Sequence, residues 1–367
     1  MLKFRCERDT LTQAIAVVQR AVVARPGALP ILSGIQIAPV DGGIELVGSD
    51  LELTIRARAV AEVEGDGQAV VPARLLADIV RRVEPGPVSV ELDDEEARLS
   101  AGRASFTLRT LAAADFPRLP QVEGAPATVN ASALAEALRQ VVPAASRDDA
   151  RPILTGVLLT TDADGLRLVA TDSYRLAMRD LAGMAPLLAE GQRVLVSARG
   201  LGEVQRLLTD GEIEIVLAER EAVFRIGTTQ VTTRLIEGDF PNYAQLIPSG
   251  YPNRLTVERT LLAQAVERVR LVGQGRDSAP TRLAMSADGL ELAAIAQDVG
   301  EAHEAVEAKY EGADLTVAFN SQYLLEGLEA VGGSEVVLEA LEPLKPTVLK
   351  STERNDFLYL LMPVRVT

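Results

Sequence analysis

The feature that most constrains this chain is an internal repeat. The segment Pro30-Ile31-Leu32-Ser33-Gly34 recurs 122 residues later as Pro152-Ile153-Leu154-Thr155-Gly156. Asp115-Phe116-Pro117 recurs 124 residues later as Asp239-Phe240-Pro241. A fainter third copy contains Gly289-Leu290-Glu291-Leu292, which has the same turn-and-strand pattern as Gly165-Leu166-Arg167-Leu168 and lies 124 residues after it. Several matches in the same order and at nearly constant spacing indicate three copies of a unit of about 122 residues, which together fill the 367-residue chain.

The length of the repeat indicates what kind of unit it is. Solenoid repeats are much shorter, about 20–45 residues, whereas a unit of this size can bury a core of its own. Proline and glycine cluster where one copy gives way to the next, as expected at a boundary. We therefore expect three domains, which cover residues 1–124, 125–250 and 251–367.

The same order of elements is expected in each copy. An opening strand leads into a helix, several alternating strands follow, and a second helix ends in a turn and another strand. The predicted helices cover residues 9–23 and 73–83 in the first copy, 132–142 and 198–208 in the second, and 259–272 and 321–331 in the third. Two helices among many strands predict an α+β fold, in which each domain packs two helices on antiparallel sheets.

Composition removes several classes of function. Aromatic residues make up 4% of the chain and tryptophan is absent, which disfavours base stacking as a way of reading nucleic acid. The single cysteine, Cys6, and the single histidine, His303, exclude an internal disulfide and any metal site that needs two of either residue. No apolar run approaches the roughly 20 residues of a membrane span and the amino terminus is charged, so we expect a cytoplasmic protein without membrane contact.

Enzyme signatures are scarce. The sequence has no Gly-x-Ser-x-Gly motif, no phosphate-binding loop and no complete dinucleotide-binding motif, so no cofactor is expected. The acidic run at 93–96 lacks the ligand spacing of a calcium loop and is interpreted as a hairpin tip, and His303 as an exposed strand residue. Asp50 and Asp172 recur at equivalent places, which leaves a hydrolase with turn carboxylates as an alternative. Aspartates that bind the backbone of a turn explain the recurrence as well.

Positive charge is concentrated on the predicted helices. The chain has a formal charge of −15, yet segments 9–25, 73–83, 132–147, 198–208, 259–276 and 321–331 together carry +6, which leaves −21 elsewhere. Arg74 and Arg81 are seven residues apart and share one helix face, and Arg199 and Arg206 repeat this in the second copy. A basic helical layer on an acidic body predicts contact with phosphates, which positions a duplex without reading its sequence.

Five motifs, taken in order, resemble one family. They are Leu29-Pro30-Ile31-Leu32-Ser33, Ala170-Thr171-Asp172-Ser173-Tyr174-Arg175-Leu176-Ala177, Gly238-Asp239-Phe240-Pro241-Asn242-Tyr243, Phe319-Asn320-Ser321-Gln322-Tyr323-Leu324 and Leu361-Met362-Pro363-Val364-Arg365-Val366. Over its whole length the sequence is similar to the bacterial DNA polymerase III β subunit, the replication sliding clamp. The resemblance implies three repeated DNA-clamp domains and a head-to-tail homodimer that forms a closed ring, with helices lining the hole. It also implies a processivity factor for DNA replication, which has no active site of its own.

The resemblance implies two sets of site residues. Arg25, Arg74, Arg199 and Arg206 are expected to contact double-stranded DNA independently of its sequence, with Arg147 and Arg151 nearby. The replicative polymerase, the clamp loader and repair polymerases are expected to place a short peptide in an apolar cleft between the second and third domains. The residues that match this cleft are Leu154, Thr171, Tyr174, Arg175, Leu176, Pro241, Leu246, Asn320, Tyr323, Pro346, Met362, Pro363, Val364 and Arg365.

The sequence also departs from the family pattern. Tyr174 stands where some members have histidine, which changes the rim of the cleft. In the third copy Gln322 and Glu329 take the places of the arginine pair, so its second helix is expected to contribute less to DNA contact. A clamp-like protein with an altered role is therefore a further alternative.

Overall fold

The computed structural model describes residues 1–365 apart from 24–28, 120–121, 123, 163–164, 183–186, 190, 248–249, 274–279 and 297–298. In this part of the chain each copy of the repeat has a first helix directly after its opening strand and a second helix near its middle. The first helices are α1 (Arg8–Val18), α3 (Ala131–Val141) and α5 (Arg259–Val269), and the second helices are α2 (Ala73–Arg82), α4 (Ala198–Leu207) and α6 (Ser321–Val331).

Strands make up most of the remaining structure. The first copy contains β1 (Leu2–Glu7), β2 (Gly34–Val40), β3 (Gly43–Ser49), β4 (Leu53–Val60), β5 (Glu62–Glu64), β6 (Ala69–Pro72), β7 (Pro87–Leu92), β8 (Glu96–Ala101) and β9 (Ala104–Arg109). The second contains β10 (Ala127–Asn130), β11 (Gly156–Asp162), β12 (Gly165–Thr171), β13 (Arg175–Ala182), β14 (Arg193–Ser197), β15 (Glu212–Leu217), β16 (Glu221–Ile226) and β17 (Thr229–Arg234). The third contains β18 (Asn253–Glu258), β19 (Pro280–Ser286), β20 (Gly289–Ala296), β21 (Gly300–Val306), β22 (Ala308–Glu311), β23 (Leu315–Asn320), β24 (Glu335–Ala340), β25 (Thr347–Ser351) and β26 (Phe357–Leu361).

The strands form four sheets in two compact units. The first unit, residues 1–131 and 206–235, holds a five-stranded sheet in the order β5-β1-β7-β8-β9 and an eight-stranded sheet in the order β10-β15-β16-β17-β4-β3-β2-β6. The second unit, residues 132–205 and 236–367, holds a nine-stranded sheet in the order β14-β11-β12-β13-β26-β25-β24-β18-β22 and a four-stranded sheet in the order β21-β20-β19-β23. Neighbouring strands run antiparallel, which confirms the predicted α+β fold class.

Each compact unit takes strands from two copies of the repeat. β4 of the first copy pairs with β17 of the second, and β13 of the second copy pairs with β26 of the third. The compact units therefore do not coincide with the three copies. The domain limits 1–124, 125–250 and 251–367 stay predictions.

The amphipathic pattern of the sequence explains the helices. In α2, Leu76, Ile79 and Val80 are buried, whereas Arg74 and Arg81 are exposed, as a period of 3.6 residues requires. Each buried aliphatic side chain of this kind contributes about 1.5–3 kcal/mol. Among the helices in the described residues, none is both long and apolar enough to cross a membrane.

The ends of the first helices differ from the prediction. α2, α4 and α6 match their predicted limits to within a residue, but α1, α3 and α5 end five, one and three residues before the expected last residue. In each case the chain continues as a short 3-10 helix, at residues 19–21, 142–144 and 270–273. Tightening of the last turn is common at helix ends, because it satisfies carbonyl groups that have no partner further along the helix.

Candidate peptide cleft and arginine-bearing helices

A tight turn at residues 171–175 joins β12 to β13 in the second unit. One carboxylate oxygen of Asp172 accepts hydrogen bonds from the backbone N–H groups of Tyr174 (2.9 Å) and Arg175 (3.0 Å). The Thr171 hydroxyl donates to the carbonyl of Arg175 at 2.6 Å. Ser173 has φ of 79°, a left-handed conformation that the surrounding hydrogen bonds maintain. The turn leaves the Tyr174 ring 57% exposed.

The first copy of the repeat has the same turn at residues 49–53. Asp50 accepts hydrogen bonds from the N–H groups of Glu52 (3.1 Å) and Leu53 (2.8 Å), and Leu51 has φ of 76°. The recurrence of Asp50 and Asp172 is thus explained by a shared turn, as the second of the two interpretations expected. Both carboxylates bind backbone N–H groups, and this arrangement lends no support to hydrolysis by paired carboxylates.

The carboxyl-terminal segment after β26 extends the sheet past this turn. β26 pairs with β13, and the N–H of Met362 then donates to the Tyr174 carbonyl at 2.9 Å. Two residues later the N–H of Val364 donates to the carbonyl of Ala318 at 2.8 Å. Met362 packs on an apolar cluster that includes Leu176 and Phe240. The segment therefore connects the turn, the sheet and the end of β23.

The start of α6 faces the same turn. The Asn320 side chain caps the helix by accepting from the N–H groups of Gln322 (2.9 Å) and Tyr323 (3.2 Å). The rings of Tyr323 and Tyr174 stack with centroids 6.4 Å apart and an angle of 27° between their planes. The centroid of the Tyr323 ring also lies 4.3 Å from the guanidinium carbon of Arg175, a cation–π contact.

Arg175 is the most constrained charge in this region. Its side chain is 8% exposed, and it donates to Asp172 (3.0 Å), to the Tyr359 hydroxyl (3.2 Å), to the Pro143 carbonyl (2.5 Å) and to Glu326. Burial alone lowers the pKa of the Arg175 guanidinium, but Tyr359 and Glu326 outweigh burial and raise its pKa above the usual value. The guanidinium stays charged, and these acceptors replace the hydrogen bonds to water that it loses on burial.

The predicted cleft residues occupy several elements of the second unit. Leu154, Thr171, Arg175 and Leu176 are buried, Asn320, Tyr323, Pro346, Met362, Pro363 and Val364 are partly buried, and Tyr174, Pro241, Leu246 and Arg365 are exposed. Hydrogen bonds, stacking and the apolar cluster bring together Thr171, Tyr174, Arg175, Leu176, Asn320, Tyr323, Met362 and Val364. Leu176 is 0% exposed and Leu154 9%, so both belong to the interior in this conformation. Direct contact of any of these residues with a peptide stays a prediction.

The sequence did not single out Glu326, which the structure places beside this group. Glu326 bonds to Arg175 and accepts from the Gln322 side-chain amide at 2.8 Å. With Arg147, Arg151 and Tyr323 it lines a polar pocket of about 460 Å³. Its position three residues after Tyr323 on one helix was readable from the sequence. Its partner lies 151 residues away in the chain, and no local pattern reveals such a pair.

The predicted DNA-contacting arginines lie on two helices. Arg74 on α2 and Arg199 and Arg206 on α4 are exposed, and Arg25 lies outside the described residues. In the third copy Gln322 and Glu329 are exposed in their place, as the sequence indicates. The arginines near the end of α5 bind acidic side chains instead: Arg268 bonds to Glu304 at 3.0 Å. The basic character of the second helix is therefore confined to the first two copies.

The remaining sequence candidates have ordinary structural roles. Asp93 accepts from the N–H groups of Glu95 (2.9 Å) and Glu96 (2.7 Å) at the tip of the β7–β8 hairpin, as predicted. His303 lies on β21 with its ring 48% exposed, 3.1 Å from a carboxylate oxygen of Glu291. Within the described ranges no group of three or more His, Cys, Asp or Glu side chains has the arrangement of a metal site.

Comparison with known proteins identifies the family. Models of the N-terminal, central and C-terminal domains of the DNA polymerase III beta subunit match residues 2–120, 128–242 and 244–365. The beta sliding clamp of Streptomyces coelicolor is 35% identical over 379 residues, and the match covers 100% of both chains. The solved sliding clamp of Bartonella birtlesii, bound to griselimycin, has a TM-score of 0.94 at 31% identity, and that of Bacillus subtilis has 0.92 at 27%, each with 100% of both chains covered. The chain belongs to the DNA polymerase III beta subunit family, the beta sliding clamps.

Proposed function

We propose that two copies of this chain join head to tail into a ring around double-stranded DNA and tether the replicative polymerase, the clamp loader and repair polymerases. The observation that carries this proposal is the exposed arginines at equivalent positions of α2 and α4, in a chain of net charge −15. In a closed ring, topology retains the DNA, so phosphate contacts can stay weak and independent of sequence, which permits sliding. A cytoplasmic location, where bacterial DNA is replicated, is part of the proposal.

The family assignment bears on the competing functions. A beta sliding clamp is a processivity subunit and not itself an enzyme, and none of the comparisons favours the hydrolase alternative. The turn geometry of Asp50 and Asp172 accounts for those residues without a reaction. The clamp function therefore agrees with both the family and the turn geometry.

Retention on circular DNA tests the proposal directly. Protein that a clamp loader has placed on nicked circular DNA should remain bound through gel filtration, because the ring has no end to slide from. Cutting the circle once should release it within minutes. Protein mixed with the same circle without the loader is the control and should not be retained. Equal loss from intact and cut circles would contradict the proposal.

Two unpaired sheet edges suggest how the ring closes. β9 is one edge of the five-stranded sheet, and beside it Leu75 and Phe106 line a groove of about 550 Å³ whose rim carries Arg103. β21 is an edge of the four-stranded sheet and carries Glu301 and Glu304. The groove also contains Asp78, Arg82 and Glu84, and Glu304 binds Arg268 of its own chain, which leaves Arg103 and Glu301 as opposite charges that such a contact could bring together. We therefore propose that β9 of one copy meets β21 of the next, a heterologous contact that closes after two chains.

A charge placed in the groove should separate the two copies. Phe106→Arg removes an apolar ring and adds a third guanidinium to a groove that Arg82 and Arg103 already line, so we expect the mass in solution to fall from about twice 39.2 kDa to 39.2 kDa at micromolar concentration. Light scattering after gel filtration measures the mass. Thr107→Arg adds the same charge on the opposite face of β9, where residue 107 is exposed, and should remain dimeric. A dimeric Phe106→Arg protein would rule out this edge as the contact.

A further inference from the structure

We propose that Glu326 is a positioning residue for the peptide cleft, because it fixes Arg175 and, through Arg175, the Tyr323–Tyr174 pair. This inference rests on the proposed function, since it concerns the same cleft. Glu326 lies on α6 with its side chain 29% exposed, and it is not among the residues expected to touch a peptide. In this proposal its effect on binding is transmitted through Arg175 and Tyr323.

The orientation of the Arg175 guanidinium depends on its acceptors. The guanidinium is planar, and its N–H groups donate to Asp172, Tyr359, the Pro143 carbonyl and Glu326. Four acceptors around one plane leave it little freedom to rotate. Loss of one acceptor leaves N–H groups unpaired in a buried setting, and the guanidinium gains by turning toward water or toward another acceptor.

The orientation of the Tyr323 ring depends in turn on that plane. The ring lies 4.3 Å from the guanidinium carbon, and its outer neighbour is Tyr174, at 6.4 Å between centroids. The Tyr359 hydroxyl, which Arg175 contacts, also donates to the Tyr323 carbonyl at 3.2 Å. Any rotation of the guanidinium removes the surface on which Tyr323 packs. The exposed Tyr174 ring, which is expected to meet the peptide, then loses its support.

Glu326 can be changed without breaking the turn, whereas Asp172 cannot. Asp172 also accepts from the N–H groups of Tyr174 and Arg175, so its loss would remove two hydrogen bonds of the turn itself. Glu326 bonds only to side chains in the described structure, those of Arg175 and Gln322. Glu326→Gln keeps the size of the side chain and removes its charge. Glu326→Asp keeps the charge but shortens the side chain by one methylene group, which moves the carboxylate away from Arg175.

A double-mutant cycle with Tyr323→Leu tests the inference. The probe is a fluorescein-labelled peptide that spans the clamp-binding segment of the replicative polymerase from the same organism, and anisotropy gives its Kd. We expect Glu326→Gln and Glu326→Asp each to weaken binding about tenfold when Tyr323 is present, and less than about twofold when residue 323 has been changed to leucine. Glu329→Gln, one turn along an exposed face of the same helix, is the matched control and should leave Kd unchanged.

The outcomes separate this inference from the function on which it rests. An equal loss of affinity with and without Tyr323 would mean that Glu326 acts on the fold in general, and the inference would be overturned. Unchanged affinity of both Glu326 variants would overturn it as well, while leaving the clamp function in place. If the unmodified chain failed to bind the peptide, the proposed cleft and this inference would both be wrong. Circular dichroism at the assay temperature verifies that each variant is folded.

Discussion

Deleting residues 362–367 should weaken binding of the polymerase peptide about 100-fold or more while leaving the dimer intact. The segment carries Met362, Pro363, Val364 and Arg365 of the predicted cleft, and its backbone bonds to the Tyr174 and Ala318 carbonyls. A few well-packed side chains supply most of the binding energy at such sites, so the loss of four together is severe. β26 ends at Leu361, which leaves the nine-stranded sheet complete.

Two measurements on the truncated protein separate binding from assembly. Peptide anisotropy gives the affinity, and light scattering gives the mass, which should stay near twice that of the chain. A shorter truncation that removes only residues 366–367 is the control and should bind the peptide within about threefold of the full chain. Unchanged affinity after removal of 362–367 would show that the cleft is assigned to the wrong place. Loss of the dimer would show instead that this segment supports the ring.

The fold could be predicted from the sequence because its signals are local and are repeated. α2 alternates exposed arginines with buried aliphatic residues at helical spacing, and α4 repeats this pattern, so each copy supports the interpretation of the other. The turn at 49–53 was likewise predictable, since an aspartate followed by strand residues recurs at 171–175. The pairing of β4 with β17 and of β13 with β26 could not be predicted, because no local pattern indicates which strands of successive copies become neighbours.

The predicted cleft was harder to recognise in the sequence because several of its residues are buried. Leu154 and Leu176 have the composition of core residues and are indeed buried, so only the family resemblance marks them as cleft residues. Arg175 shows the opposite case, since an arginine suggests an exposed position whereas this one is 8% exposed within a cluster of acceptors. Its partner Glu326 comes from another copy of the repeat. Such a pair becomes visible only when the sheet and α6 are in place.

The acidic residue at the Glu326 position of the second helices has different partners in the first and third copies. Along the second helices, Asp78 of α2 and Glu203 of α4 occupy the position of Glu326. On α2 the carboxylate binds Arg82 of its own helix at 2.9 Å, and that hydrogen bond lowers the pKa of Asp78. On α6 the carboxylate instead binds Arg175 of the second copy. The carboxylate of α6 thus makes a contact with another copy of the repeat, whereas that of α2 pairs within its own helix.

Reversing the charge of one arginine on each basic helix should reduce the amount of protein that the clamp loader places on circular DNA, because topology alone retains the ring once it has closed. Arg74→Glu with Arg199→Glu changes the net charge from −15 to −19 and places carboxylates where phosphates are expected. Like charges then repel, and the repulsion reaches furthest at low ionic strength because the Debye length grows from about 10 Å at 0.1 M to about 30 Å at 0.01 M. We therefore expect the amount of protein loaded on nicked circles to fall about tenfold or more in 0.05 M salt and much less in 0.3 M salt.

A pair of variants with the same net charge distinguishes contact from overall repulsion. Arg193→Glu with Arg220→Glu also gives −19, but both residues are exposed outside the helices, at the start of β14 and between β15 and β16. If phosphate contact on α2 and α4 is the cause, this control should be loaded nearly as well as the unmodified protein at every salt concentration. The helix variant should also lose part of its salt dependence, by about one unit of slope for each contact removed, since fewer counterions are exchanged on binding. Equal losses in the two variants would show that net charge alone governs loading, and the helices would no longer be the predicted DNA-facing surface.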